Sequence, residues 1–313
     1  MGRNLRRGLT GIAAPLALAF ALAACGSSST TTTAKTSTEP GTGKPAVVIG
    51  DKNFPEENIL GALYATALRA KGYTVTLKDN IGTSEITYKA LTSGEIGMYP
   101  EYTGTIVSVL ANNTANPPSA VGAYNEAKTF LAKHGFTLLA MTPFSDSDVV
   151  VTKVAYAKQH GLTSVADLAK LGKSLKLAAE PEYATRFPGL IGLKKEYNVV
   201  PTFVPLATSA LVYQAINSGQ VQAGDVFTTD PQLKSGLYTA LADPKGIFGY
   251  QNVAPIVANK VIAAEGPQFV STLNAVSALL TLPAIQKMNS AVIVDKQSPA
   301  SVAEQFLKAN GLA

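Results

Sequence analysis

The stretch Ile96-Gly-Met-Tyr-Pro-Glu-Tyr-Thr-Gly-Thr105 gathers two tyrosines, a carboxylate and two hydroxyls. Its first four residues predict a short apolar strand, and Pro100 is expected to end that strand because proline cannot donate to a central ladder. Tyr99 and Tyr102 are then expected on a loop over a sheet edge, where their π faces would favour a partly dehydrated cation. The alternative, that both rings only pack against a neighbouring loop, stays open at this point.

The residues before this stretch predict alternating strands and helices. The predicted segments are a strand at 46–50, a helix at 55–71, a strand at 74–77 and a helix at 82–93. Such alternation is typical of an α/β fold with a parallel-rich sheet, in which ligands bind beyond the carboxyl ends of the strands. Lys52 is therefore expected on the same rim as Tyr99 to Thr105.

A second α/β unit follows. Strands are predicted at 149–151, 175–179, 203–206 and 223–227, with helices at 165–170, 190–197 and 209–217; a strand at 253–258 and helices at 268–281 and 298–310 close the chain. This order predicts two lobes, residues 46–148 plus 252–313 and residues 149–251. Two crossings, near Asp148 and Gln251, would join the lobes, with the C-terminal segment returning to the first.

The N-terminus has the pattern of a secretion signal. A basic start with Arg3, Arg6 and Arg7 precedes an apolar run from Leu9 to Ala24, which is too short for a comfortable membrane span. We therefore predict a signal peptide at 1–24. Leu22-Ala-Ala-Cys25 resembles the bacterial lipobox, which implies that Cys25 is lipidated; a non-lipidated signal peptide is the alternative. Cys25 is the only cysteine, so no disulfide can form within the chain.

Residues 25–45 are predicted to form the lipidated cysteine and a flexible tether, because Gly26 to Lys44 is mostly Ser, Thr, Gly and Pro. The formal net charge is +5, and removing the three leader arginines leaves +2 (5 − 3). The mature protein is nearly balanced in charge, so its composition does not indicate nucleic acid as a partner.

Enzyme and metal chemistry find little support. The two histidines, His134 and His160, each precede a glycine that predicts a helix C-cap. No order of Ser, His and Asp, nucleophile elbow, phosphate loop or metal-ligand spacing is present. The sequence thus predicts no catalytic residue, no metal site and no cofactor.

Four segments together resemble a known family. These are Asp51-Lys-Asn-Phe-Pro-Glu-Glu57, Tyr99-Pro-Glu-Tyr-Thr-Gly-Thr105, Glu182-Tyr-Ala-Thr-Arg186 and Asp225-Val-Phe-Thr-Thr-Asp230. They are similar to signature segments of the osmoprotectant-type ABC-transporter substrate-binding proteins, which bind glycine betaine, carnitine, choline and related quaternary amines. The resemblance spans 46–313 and implies a two-lobed periplasmic-binding-protein fold of type II, which closes on its ligand like a hinge.

The resemblance also implies roles for single residues. Tyr102 would be the first wall of an aromatic cage around a trimethylammonium group. Lys52, Thr105 and Arg186 would hold a carboxylate, for which arginine offers a planar fork and lysine a point charge. Glu182 would orient Arg186 or bridge the lobes. The alternative for Arg186 is a surface ion pair worth under about 1 kcal/mol.

Other cage positions depart from the family pattern. Asp148 stands where a second tyrosine is common, close to Asp146, which we include as a candidate. Phe227 replaces the third cage tyrosine, and Tyr250 and Gln251 lie where the fourth would be, so that tyrosine is displaced or replaced. We hypothesise a cationic or zwitterionic ligand with N–H donors or a larger headgroup, because a carboxylate can meet a cation by charge and hydrogen bond.

The predicted protein is the extracytoplasmic, lipid-anchored binding subunit of an ABC importer. It would act as a monomer, capture a quaternary amine or betaine by lobe closure and pass it to separate permease and ATPase subunits. Two alternatives remain: a different cargo such as an ergothioneine-like betaine, or a sensor or scavenger that does not serve transport.

Overall fold

Two five-stranded sheets with flanking helices organise residues 38–115 and 117–313, the part of the chain that the computed structural model describes. The strands are β1 Val47–Gly50, β2 Val75–Lys78, β3 Met98–Tyr102, β4 Phe136–Leu138, β5 Asp148–Lys153, β6 Lys176–Ala179, β7 Thr202–Pro205, β8 Ala223–Phe227, β9 Tyr238–Ala240 and β10 Val253–Ala258. The helices are α1 Pro55–Arg69, α2 Ser84–Ser93, α3 Thr103–Thr105, α4 Ala120–Lys133, α5 Val154–His160, α6 Gly192–Tyr197, α7 Ser209–Ser218, α8 Asn259–Glu265, α9 Pro267–Leu279, α10 Leu282–Ile293 and α11 Pro299–Ala309.

Both sheets follow the same plan. The first has the order β2-β1-β3-β10-β4 and the second β7-β6-β8-β5-β9. In each, the first three strands are parallel and the last two pair antiparallel. The predicted α/β fold is confirmed: each sheet is mixed, with four strands in one direction and one strand, β10 or β5, antiparallel to its neighbours.

The chain passes between the sheets twice, after β4 and after β9. The two crossing segments bond to each other: the N–H of Asp146 donates to the carbonyl of Gln251 over 3.0 Å, and the N–H of Gln251 donates to Ser145 Oγ over 3.0 Å. The predicted pair of crossings is therefore present. Thr38–Ala313 forms one compact unit, and the exact division into two lobes stays a prediction.

Strand β3 corrects the expectation for Pro100, because the strand runs through the proline and lies inside the sheet. Pro100 stands opposite Pro255 of β10. The carbonyl of Pro255 accepts from the N–H of Leu139, so the polar groups of Pro255 point away from β3. Two prolines can face each other here because neither N–H would belong to the ladder between these strands. Tyr99 is accordingly a core residue with no exposed surface.

The C-terminal helices return to the first sheet, as predicted. Phe269, Leu273 and Val276 of α9 join the same buried cluster as Ile59 and Leu63 of α1. No single helix within 38–115 or 117–313 has the length and apolar character of a membrane span. The consecutive helices α9 and α10 reach both only as a pair, and they are bent by 87°.

The predicted signal peptide, Cys25 and most of the predicted tether lie outside the described residues. The last part of that tether is held on the body. The N–H of Gly41 donates to the carbonyl of Lys71 over 2.8 Å, and Lys44 Nζ donates to the carbonyl of Ala264 over 2.8 Å. A Cβ on Gly41 would lie 2.2 Å from the backbone nitrogen of Tyr73, so this contact requires glycine.

Both histidines lie at helix ends, as predicted. His134 caps α4, and His160 is the last residue of α5, which ends at Gly161 with a φ of 62°. The described residues contain no group of three or more His, Cys, Asp or Glu side chains arranged to hold a metal ion.

Candidate functional site

A cavity of about 70 Å³ lies between the two sheets, where the chain leaves strands β1, β3, β6 and β8. Nine of the ten predicted ligand-binding residues line it, and Tyr250 does not. The lining residues are Lys52, Asn53, Phe54, Thr83, Ser84, Tyr102, Thr105, Asp146, Asp148, Glu180, Glu182, Tyr183, Arg186, Pro188, Asp225, Phe227 and Gln251.

Three stacked rings form one wall of the cavity. Phe54 lies between Tyr102, at 6.2 Å between ring centroids and 27° between planes, and Phe227, at 5.8 Å and 15°. The Tyr102 hydroxyl donates to Glu56 Oε1 over 2.9 Å, which fixes the ring from behind. Phe54 immediately precedes Pro55, the first residue of α1, so the rigid start of that helix sets its position. The wall thus places aromatic rings from the segments of both sheets beside the cavity.

Glu56 is the buried anchor of this wall. Its Oε2 accepts hydrogen bonds from Thr229 Oγ1 over 2.6 Å and from Asn289 Nδ2 over 2.7 Å. Burial raises the pKa of Glu56, while these bonds and that of Tyr102 work in the opposite direction. Glu56 therefore links the first ring of the wall to the segment after β8 and to α10.

Lys52 lies at the base of the cavity and is already paired. Its Nζ is 2.5 Å from Glu101 Oε1 and 3.8 Å from Glu57 Oε1, and only 3% of the residue is exposed. The ammonium also lies 4.4 Å from the centroid of the Tyr102 ring and 5.5 Å from that of Phe54. The ammonium is thus paired with two carboxylates of the protein and lies close to two rings of the aromatic wall. The sequence predicted instead that it would hold a ligand carboxylate.

Arg186 is also paired, across the cavity. Its Nη2 lies 2.8 Å from Glu85 Oε2 and its Nε donates to Glu85 Oε1 over 3.2 Å, so the guanidinium fork engages both carboxylate oxygens. The predicted partner Glu182 is more distant, with 4.0 Å between Nη1 and Oε1. Burial raises the pKa of Glu85, but the hydrogen bond and charge of Arg186 outweigh this and bring it to about 2.

Acidic side chains line the cavity beside Phe227. Asp148 of β5 stands opposite Phe227 of β8, and Asp225 lies two residues before Phe227. Because side chains alternate along a strand, all three point to the same face of the second sheet. The carboxyls of Asp148 and Asp225 lie close enough for each to influence the pKa of the other. Asp225 is buried, and its Oδ1 has no hydrogen-bond partner among the described residues.

Burial makes these acids hard to ionise while the cavity is empty. It raises the pKa of Asp148 to about 6, against the lowering effect of Arg186, and that of Glu180 to about 8, with help from Glu182 and Asp148. Burial and the neighbouring Asp148 also place the pKa of Asp225 well above its usual range. A cation placed here would favour the ionised carboxylates, so binding is expected to release protons.

Thr105 and Gln251 bond to each other at the rim. Gln251 Oε1 accepts from the N–H of Thr105 over 2.9 Å and from its hydroxyl over 3.3 Å. Tyr250 points elsewhere: the residue is 42% exposed and its hydroxyl donates to the carbonyl of Pro118 over 3.2 Å. The structure therefore does not bring Tyr250 to the cavity. Tyr250 therefore does not supply the fourth cage tyrosine of the family pattern.

Asp146 lies on the first crossing, lines the cavity and bonds to the segment after β8 of the second sheet. Its Oδ1 accepts from the N–H of Thr229 over 3.0 Å and from Thr228 Oγ1 over 3.1 Å. Burial and the nearby charge of Glu56 place the pKa of Asp146 well above its usual range. The crossing that permits closure thus carries a cavity residue.

Sequence reasoning missed several contributors. Phe54 and Asp225 lie inside the quoted signature segments, and their closeness in sequence to Lys52 and Phe227 could have identified them as site residues. Glu180 directly follows β6, where a strand-end rule would have included it. No sequence pattern pointed to Glu85, because its hydrogen bond with Arg186 connects residues 101 positions apart.

A cavity between two sheets joined by two crossings, with walls from both, is the arrangement of a two-lobed substrate-binding protein. A family model described as the substrate binding domain of ABC-type glycine betaine transport system matches residues 45–309. The chain belongs to this family.

Similar proteins and solved structures support this family assignment. A glycine-betaine-binding protein of Pseudomonas aeruginosa is 30% identical over 275 residues, which cover 84% of this chain and 88% of the relative. Glycine betaine-binding protein YehZ of Escherichia coli is 28% identical, over 85% and 90% of the two chains. A solved structure titled as a glycine betaine/carnitine/choline ABC transporter superposes with a TM-score of 0.68 at 25% identity, over 85% of this chain and 99% of the other. The protein is the extracytoplasmic substrate-binding component of an ABC transport system, and its family is one of transport proteins rather than enzymes.

Proposed function

We propose that this protein captures a quaternary-amine or betaine-like compatible solute in the cavity between its sheets and delivers it to an ABC permease driven by a separate ATPase. The observation that carries the ligand class is the stack of Phe54 between Tyr102 and Phe227 in the same cavity as the carboxyls of Asp148 and Asp225. Aromatic rings attract an alkylated cation, and the neighbouring carboxylates add negative charge. The names of the relatives from Pseudomonas aeruginosa and Escherichia coli support the same class.

Closure follows from the way the cavity is shared. Phe54 and Tyr102 belong to segments of the first sheet, whereas Asp148 and Phe227 belong to the second. A ligand that contacts both groups stabilises the closed arrangement by the difference in its affinity for the two states. The two crossings at Asp146 and Gln251 are the segments about which the sheets would move.

The test is a thermal-shift screen of the purified protein against glycine betaine, proline betaine, carnitine, choline and ergothioneine, followed by calorimetry on each ligand that stabilises it. Stabilisation grows with the logarithm of ligand concentration over the dissociation constant. A shift that is lost in Phe227→Ala and retained in Val294→Ala, an exposed apolar position outside the cavity, supports the proposal. Absence of any shift across the panel would contradict it. Mass spectrometry of the released ligand checks that it leaves unchanged, as expected for a transport protein.

We also propose that lipid on Cys25 anchors the protein to the outer face of the cell membrane and that it works there as a monomer. The support is the lipobox-like segment Leu22-Ala-Ala-Cys25 after a basic and apolar leader. Metabolic labelling with a clickable fatty acid tests the anchor. Label in the wild-type protein and none in Cys25→Ala is expected; equal label in both would contradict lipidation at this residue. Light scattering of the purified protein tests the monomer.

A further inference from the structure

Both cationic side chains that line the cavity are committed to carboxylates of the protein itself. The guanidinium of Arg186 holds both oxygens of Glu85, at 2.8 and 3.2 Å. The ammonium of Lys52 is buried against Glu101 at 2.5 Å, with Glu57 at 3.8 Å. None of these three carboxylates lines the cavity.

The carboxyls that do line the cavity have no lysine or arginine among the described residues as close to them as Arg186 is to Glu85 or Lys52 is to Glu101. They are Asp146, Asp148, Glu180, Glu182 and Asp225, and the nearest ion pair among them is the 4.0 Å contact between Glu182 and Arg186. The buried Asp225 Oδ1 lacks any hydrogen-bond partner in the described part of the chain. A buried acceptor of this kind favours a positively charged occupant, because an unpaired buried carboxylate is costly.

A ligand carboxylate would meet the opposite conditions. Arg186 carries the only guanidinium among the described residues that line the cavity, and Glu85 is already paired with it. Apart from Lys52, the other charged residues in that lining are all acidic. A zwitterion would have to displace Glu85 from a two-point contact or place its carboxylate beside like charges. Glu85 can leave, because about half of its side chain is exposed, so it acts as a competitor rather than a fixed barrier.

We propose that the cavity selects a net cation that lacks a carboxylate, and that Glu85 is the specificity-determining residue because it occupies Arg186 where a ligand carboxylate would bind. This inference rests on the proposed function and narrows its ligand class. Choline and glycine betaine form the matched probe pair, since both carry a trimethylammonium group on a two-carbon skeleton. They differ only in a terminal hydroxyl or carboxylate.

The experiment is calorimetry of both ligands with the wild-type protein, Glu85→Gln and Glu95→Gln. Glu95 is the matched control because it follows the same helix, pairs with Lys78 at 3.1 Å and lies outside the cavity. We expect the wild-type protein to bind choline about tenfold or more tightly than glycine betaine. Glu85→Gln should shift this ratio about five- to tenfold toward glycine betaine by freeing the fork of Arg186. Glu95→Gln should leave the ratio unchanged.

Arg186→Met provides an independent arm. It should not gain glycine betaine binding, because no guanidinium is left to hold a ligand carboxylate, and combining it with Glu85→Gln should abolish the shift that Glu85→Gln causes alone. Circular dichroism spectra and melting temperatures verify that each variant is folded. A wild-type preference for glycine betaine, or an unchanged ratio in Glu85→Gln, would overturn the inference and leave the proposed function standing. Failure of every quaternary amine to bind the wild-type protein would overturn both.

Discussion

Glu180 gives the most informative single perturbation, because the cavity holds it in an environment that disfavours its charge. It is half-buried directly after β6, and burial, then Glu182 and Asp148, raise its pKa from 4.5 to about 8 against the lowering effect of Arg186. Asp230 also contributes repulsion. Between pH 4.5 and 8 the folded state therefore binds more protons at this site than the unfolded state. The stability of the ligand-free protein should fall as the pH rises through this window, and the loss should be complete above about pH 8.

The magnitude follows from the size of the pKa difference. Each pKa unit corresponds to about 1.4 kcal/mol, so the upper bound is about 5 kcal/mol. Because Glu180 is only half-buried, its charge is partly screened, and we expect about 2 kcal/mol. Glu180→Gln keeps the shape and removes the ionisation. The variant should be more stable than the wild-type protein by this amount at pH 8 and equal to it near pH 4.5.

Urea denaturation at several pH values between 4.5 and 8 measures this difference. Far-UV circular dichroism is the suitable signal because the chain contains no tryptophan. The control Glu95→Gln removes an exposed carboxylate and should follow the wild-type curve. Calorimetry adds a second readout, since choline affinity should rise with pH more steeply in the wild-type protein than in Glu180→Gln. Identical pH profiles for the wild-type protein and Glu180→Gln would refute the electrostatic account of the cavity.

Three further substitutions test separate parts of the site. Phe54→Ala removes the central ring of the stack and should weaken choline binding about tenfold by calorimetry; unchanged affinity would argue against the aromatic wall. Lys52→Met leaves Glu101 and Glu57 buried without their cation and should lower the free energy of unfolding by about 3–5 kcal/mol in urea, whereas equal stability would show that the pair is dispensable. Tyr250→Ala should leave affinity within about twofold, because the ring is exposed outside the cavity; a large loss would place Tyr250 in the bound state.

Pro100 and Tyr102 show what local sequence patterns can and cannot predict about the structure. Proline disrupts a strand when its missing N–H would bond to a partner strand, and here Pro100 stands opposite Pro255, so no hydrogen bond between β3 and β10 is lost. That compensation comes from a strand about 155 residues away, which the stretch itself does not reveal. Tyr102, which the motif resemblance suggested as a cage residue, lines the cavity, although it lies on a central strand rather than on an edge loop.

The alternation of strands and helices, the two crossings, the return of the C-terminal helices and the family could all be predicted from the amino-acid sequence. Each depends on periodicity, turn residues or short motifs, which are properties of neighbouring residues. The pairs in which charges are neutralised form only in the folded chain. Lys52 and Arg186 have the same formal charge in any reading of the sequence, but Glu101 and Glu85 reach them only after folding. Coulombic interaction and desolvation depend on distance and burial in three dimensions, so the acidic character of the cavity could be established only there.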